Sequence, residues 1–232
     1  MKFVIHKDIF QYFPNMQVVV AIAHDINNTS TNPKVTEELK EAWYNAQEAS
    51  VYGNAQSHPS IKPWREHFKK MGVKASEFPS SIESMLRRAL KGGKPFQINP
   101  LVDFYNAVSL RHIVPVGGFD LDQIQSKLEL RLTKPGDQFT ALDAQEPVAL
   151  PSDEVAYASG SEILTRHFVW RQAKTALITP HTRNVILVCE ILGGLEGSLV
   201  DQVLSSFKQG LVKHFGVVPE TTVLTEQRLS TS

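Results

Sequence analysis

Apolar positions along the chain follow two rhythms. Residues 16–23, "MQVVVAIA", run almost without interruption and are rich in β-branched side chains, which predicts a buried strand too short to cross a bilayer. "HDINNTSTNP" then supplies turn formers. From residue 34 the spacing becomes helical: Leu39, Trp43 and Ala46 recur on one face of "KVTEELKEAWYNAQEAS" while Glu and Lys face water. "SHPSIKPWREHFKKMG" predicts a second helix, with Trp64 and Phe68 on one side and Gly72 as its stop. "PSSIESMLRRALKGG" predicts a third, with Ser80 and Glu83 at capping-box spacing and Ile82, Met85, Leu86 and Ala89 as the apolar face.

Residues 99–124, "NPLVDFYNAVSLRHIVPVGGFDLDQI", break this regularity: a helix, a Pro-Val-Gly-Gly corner and an acidic second start. Asn106, Ser109, Arg111 and His112 sit among its apolar residues, as they would in a pocket wall or in an ordinary helix-to-strand junction. From "LELRLTKPGDQFTAL" onward the pattern turns to short alternating strands, including "EVAYAS", "ILTRHFVW" and "NVILVCEIL". "LEGSLVDQVLSSFKQGLVKHFG" returns to helix, with Leu195, Leu199, Val203, Phe207 and Leu211 spaced for one buried face, and "TTVLT" ends the series as a strand. The economical fold is α+β, a single domain over residues 1–232 with a mixed β-sheet core flanked by helices.

Composition narrows the function. With 42% hydrophobic residues the 232-residue chain can bury a substantial core, and 24 basic residues balance 24 acidic ones, which argues against strong nonspecific nucleic-acid binding. Arg87, Arg88, Lys91 and Lys94 form a local basic end of the third helix, suited to phosphate or simply to the helix dipole. The one cysteine, Cys189, lies in an apolar run and reads as an inert buried thiol; it excludes an internal disulfide and a cysteine-rich zinc site. No Walker loop, GxGxxG, GxSxG or HExxH is present, and the eight histidines lack metal-ligand spacing, so neither metal nor cofactor is expected. His112 and His167 lie nearest the polar segments and read as packed or surface residues. Neither a signal peptide nor a membrane span is evident, and a cytoplasmic location is expected.

A second polar stretch is "WRQAKTALITPHTRNVILVCEIL", residues 170–192. Arg171, Lys174, Thr179, Thr182 and Glu190 flank or enter a strand that is otherwise apolar. Alternation places Glu190 on the face of Ile186 and Val188, where a carboxylate needs a partner or a polar cavity unless it caps the strand end at the surface.

"NPLVDFYNAVSL", "PVGGFDLDQI" and "LELRLTKPGDQFTALD", in this order, resemble the tRNA-editing domain in the beta chain of bacterial phenylalanyl-tRNA synthetase, over residues 99 to about 192. "HPSIKPWREHFKKMGVK" and "SIESMLRRALKGG" extend the resemblance to free-standing relatives of that domain. The resemblance implies a pocket for an amino acid and the terminal adenosine of a mischarged tRNA, where a positioned water hydrolyses the aminoacyl ester. Asn106 matches the family's Asn, Tyr105 stands in place of its Thr, and Gly117 falls where the synthetase has a pocket His, with Gly118 following. Val188 takes the place of the glutamate that recognises a tyrosine hydroxyl, and Glu190, two residues on, is its candidate substitute.

The site so implied has Glu190 and Asn106 as catalytic residues, with Tyr105, Arg111, Gly117, Gly118, Trp170, Arg171, Lys174, Thr179 and Thr182 around the substrate. Arg87, Arg88, Lys91 and Lys94 would meet RNA weakly. The expected activity is trans-acting hydrolysis of a misacylated tRNA or related ester, with no aminoacylation. The expected partners are tRNA and an amino-acid-like ligand, with neither DNA nor membrane. The alternatives are a module that binds RNA or such a ligand without catalysis, and an interaction domain whose pocket has closed.

Overall fold

The computed structural model describes residues 2–29 and 31–231. Strand β1 (Lys2–Ile5) and the short helix α1 (Ile9–Tyr12) lead into β2 (Gln17–Ala23). Four helices follow: α2 (Pro33–Asn45), α3 (Lys62–Lys70), α4 (Ser81–Leu90) and α5 (Pro100–His112). Next come β3 (Val116–Asp120), β4 (Lys127–Leu132), β5 (Gln138–Phe139), β6 (Val148–Ala149), β7 (Val155–Ser159), β8 (Glu162–Arg166), β9 (Arg171–Gln172) and β10 (Val185–Ile191). Helix α6 (Leu199–Phe215) and β11 (Glu220–Leu224) complete the order. Ser30, in the turn-rich stretch after β2, lies outside the described residues.

The fold is α+β, and its strands form two sheets. One is mixed, in the order β1-β4-β7-β8-β5-β6, with β9 on β8; β1 runs parallel to β4 and β5 parallel to β8. The other is antiparallel, in the order β11-β2-β10-β3. Alternation along the central strands explains the layering. Ile186 and Val188 of β10, with Val18 and Val20 of β2, pack toward Phe3, Leu128, Leu130, Tyr157 and Leu164 of the mixed sheet. Val185, Leu187 and Cys189, with Val19 and Ala21, face the opposite way, onto Leu101, Phe104 and Val108 of α5 and Val203, Phe207 and Leu211 of α6. A third cluster joins α2 and α4 to α5 through Leu39, Trp43, Ile82, Leu86 and Leu110.

Local chemistry sets the helix starts. Asn32, Ser80 and Asn99 each accept a hydrogen bond from the backbone N–H three residues on, and Pro33 and Pro100 follow two of these caps. The capping box is only half formed: Ser80 accepts from the Glu83 amide, but the Glu83 carboxylate turns to Arg65 at 2.7 Å and Arg87 at 2.5 Å. The first predicted helix ends at Asn45 and continues as a 3₁₀ segment, Ala46–Tyr52. The acidic second start is a single 3₁₀ turn, Leu121–Gln123, with Asp120 accepting from the Asp122 amide. Helix α5 stops at Ile113, which takes a left-handed conformation (φ 49°), and the Pro-Val-Gly-Gly corner then feeds the edge strand β3.

Candidate functional site

A cavity of about 290 Å³ opens between the end of the sheet-to-sheet core and the helices. Helix α5 supplies Val102, Tyr105 and Asn106; β3 supplies Val116, Gly117 and Phe119; β10 supplies Val188 and Glu190. Tyr157 and Thr165 come from the mixed sheet, and Trp170, Arg171 and Gln172 from β9 and the turn before it. Met85, Phe96 and Ile98 frame the remaining side. Most of this lining is apolar, so the few polar groups are the ones able to orient a ligand.

Glu190 is the central one. It is 3% exposed, and its carboxylate accepts a hydrogen bond from the Tyr157 hydroxyl across the two sheets. Burial raises its pKa to about 7, against the lowering effect of the Tyr157 bond and a backbone bond. Burial, then the Glu190 charge, pushes the Tyr157 hydroxyl well above its ordinary range, so Tyr157 stays a donor. The surface strand-end role for Glu190 is excluded by this burial. Burial and then Asp103 likewise raise the Tyr105 hydroxyl.

The two glycines of the corner differ. A Cβ on Gly117 would meet nothing within 4 Å, so this position opens into the cavity it lines. A Cβ on Gly118 would lie 2.7 Å from Ile178 Cδ1 and 2.8 Å from Leu187 Cδ2; this glycine admits core packing instead. Its carbonyl accepts from the Gln172 side chain at 2.9 Å, which ties β9 to β3 beside the cavity.

Asn106, Tyr105, Gly117, Trp170, Arg171 and Glu190, far apart in sequence, therefore meet around one cavity. The other expected substrate contacts lie elsewhere. Arg111 reaches Glu38 at 3.5 Å, on the far side of α5, because the helix turns it away from Tyr105 and Asn106. Thr182 donates to buried Asp120 and accepts from the Thr179 amide, so both threonines close a turn. Lys174 is exposed, with its amide bonded to the Thr140 carbonyl. Of the basic quartet, Arg87 is bound to Glu83 and the Arg88 guanidinium lies 3.4 Å over the Phe96 ring, whereas Lys91 and Lys94 face solvent.

His112 contacts Ser206 Oγ at 2.9 Å and is held down to about 4 by burial and then Arg111. His167 packs between Phe78 and Trp170. Cys189 is fully buried on the opposite face of β10 from Glu190. Among the described residues no group of three or more His, Cys, Asp or Glu is placed to hold a metal ion, and no helix is long and apolar enough to cross a membrane.

Sequence patterns did not single out Tyr157, Gln172 or Phe96. For Tyr157 a signal existed: a tyrosine among Val155, Ala156 and Ala158 in a buried strand brings a hydroxyl that needs a partner.

Two stacked sheets, a helical layer and a largely apolar cavity with a buried acid define an α+β protein with an acid-bearing pocket. The B3/4 domain family model matches residues 63–196, more than half of the chain, and the chain belongs to that family. It is 34% identical over 90 residues to the phenylalanine–tRNA ligase beta subunit of Idiomarina loihiensis, a match covering 39% of this chain and 11% of that protein. The corresponding subunit of Vibrio parahaemolyticus is 30% identical over 121 residues, covering 52% of this chain and 14% of its own length. The chain thus corresponds to a small part of these relatives. An N-terminal fragment of the phenylalanyl-tRNA synthetase beta subunit from Pyrococcus horikoshii superposes with a TM-score of 0.48 at 12% identity, covering 94% of this chain and 49% of the fragment.

Proposed function

We propose that the protein hydrolyses the ester bond of a misacylated tRNA or a related aminoacyl ester. The observation that carries this reading is Glu190: a buried carboxyl with a pKa of about 7, in the wall of an otherwise largely apolar cavity. A base that titrates near neutrality is well matched to removing a proton from water. Water attacks the ester carbonyl carbon and its proton passes to Glu190. The C–O bond to the ribose then breaks, and the proton returns to the departing ribose oxygen. Tyr157 holds the carboxylate in place, while Asn106 and Arg171 in the cavity lining carry N–H donors suited to the oxygen on which charge develops, although the Arg171 guanidinium also pairs with Asp143 at 2.9 Å. The apolar walls suit an apolar amino-acid side chain and exclude competing water. The family's phenylalanine–tRNA ligase members support tRNA as the carrier of the ester.

Glu190→Gln keeps size and shape and still accepts from Tyr157, but cannot take a proton. In a deacylation screen over a panel of mischarged tRNAs, the wild type should hydrolyse at least one, with a rate that rises with pH through about 7 and then levels. The variant should lose at least about tenfold in kcat/KM, roughly 1.4 kcal/mol, and lose that pH dependence. Full activity in a folded Glu190→Gln protein would reject Glu190 as the base. Tight binding without turnover by the wild type would make the protein a binding module instead.

A further inference from the structure

The segment from Lys91 to Ile98 is firmly anchored, yet it exposes its largest side chains. The Gly93 amide donates to the Arg88 carbonyl at 3.0 Å, and the Trp43 indole donates to the Gly93 carbonyl at 2.7 Å. Arg88 Nε donates to the Lys94 carbonyl at 3.2 Å, and the Ile98 amide donates to Asp103 at 2.8 Å. A Cβ on Gly93 would lie 2.7 Å from Arg88 Cγ, so the backbone presses directly onto that side chain. Despite this order, Phe96 is 56% exposed and Ile98 62%. Apolar surface held out in water by a fixed backbone is the usual mark of a binding element.

Phe96 also belongs to the cavity lining. One side of its ring lies beneath the Arg88 guanidinium, with 3.4 Å from Cζ to the ring centroid, which leaves the other side for a visitor. The surroundings indicate what kind. Between Glu83 and Asp103 the chain has no acidic residue, while Arg87, Arg88, Lys91 and Lys94 are all cationic. An aromatic ring backed by a guanidinium, with lysines beside it, fits a planar base attached to phosphates better than a neutral peptide.

We propose that Phe96, backed by Arg88, is the platform on which the nucleobase at the ester-bearing end of the substrate stacks, with Lys91 and Lys94 meeting the phosphates that precede it. This rests on the aminoacyl-ester reading of the cavity and extends it from the acyl group to the nucleoside. Arg88 thereby acts by holding the ring, where the sequence had suggested a direct phosphate contact.

The test uses a short RNA trinucleotide whose 3′-terminal base is 2-aminopurine, a fluorophore quenched by stacking. Wild-type protein should quench it. Phe96→Ala should weaken that binding at least tenfold, Phe96→Trp should restore it, and Arg88→Ala should weaken it by a smaller factor. Moving 2-aminopurine to the first position should reduce the quenching. Quenching that depends on Phe96, without hydrolysis of any mischarged tRNA, supports the platform and overturns the hydrolytic reading. Hydrolysis without quenching, or quenching that survives Phe96→Ala, overturns the platform.

Discussion

At the scale of single residues, the neighbouring glycines of β3 make opposite forecasts. Gly117→Leu adds a side chain into open space at a strand position without positive φ, so stability should change by about 0.5 kcal/mol or less. The added bulk should nonetheless fill the cavity and lower ester hydrolysis or ligand binding at least tenfold. Gly118→Ala must push Ile178 or Leu187 aside, and should cost about 1–3 kcal/mol. Denaturant melts of both variants check this, and an unfolded Gly117→Leu protein would sink the idea that the position faces free volume. Glu190 allows a further check. Its folded pKa of about 7 exceeds its ordinary 4.5, so its contribution to stability is present below about 4.5 and lost as pH rises through 7. Glu190→Gln does not titrate, and its stability relative to wild type should therefore improve between pH 5 and pH 8. A difference that stays constant over that range would mean the carboxyl is not elevated.

At the scale of elements, the long periodic segments were legible from sequence: α2, α3, α4 and α6 carry their apolar stripes, and β2 and β10 apolar runs broken only by Gln17 and Glu190, whereas α5 is buried on nearly every side and shows no single stripe. Strands of two residues, such as β6 and β9, carry no period to read, and β1 is recognisable only by its pairing with β4. For the same reason Arg171 was legible as a polar residue, whereas its place beside Asn106 and Glu190 depends on β9 joining β8 and on Gln172 bridging to β3. The Tyr157–Glu190 bond spans two sheets, and alternation along either strand alone cannot supply it. Helix α6 offers a test of close packing. A Cβ on Gly210 would fall 2.2 Å from the ring of Phe104, which is 2% exposed and has little room to yield. Gly210→Ala gains about 1 kcal/mol of helix propensity, but the steric clash should exceed this and leave a net loss of at least about 1 kcal/mol. A thermal melt showing stabilisation would mean that α5 and α6 separate easily.

At the scale of the whole molecule, we expect one cooperative unfolding transition. The cluster between the sheets draws on β1, α1, β2, α3, β4, β7, β8 and β10, so early and late parts of the chain share one core. The backbone amide of Phe3 donates to Thr231 Oγ1, and the Thr231 amide to the Phe3 carbonyl, closing the same unit across its sequence extremes. Trp43 and Trp64 lie in different clusters, and their fluorescence should change at one denaturant midpoint; two separated midpoints would divide the chain into independent units. Cys189 gives the same measurement a chemical clock. It is the sole thiol, buried in β10 one residue from Glu190, and burial followed by the Glu190 charge raises its pKa well above the ordinary range. A thiol-directed dye can therefore react only while the central strand is open, and the labelling rate counts those openings under native conditions. Any ligand that seats against the other face of β10 should slow the clock, about tenfold for each roughly 1.4 kcal/mol of stability it adds, so an unknown substrate can be sought by its effect on one sulfur atom that it never touches.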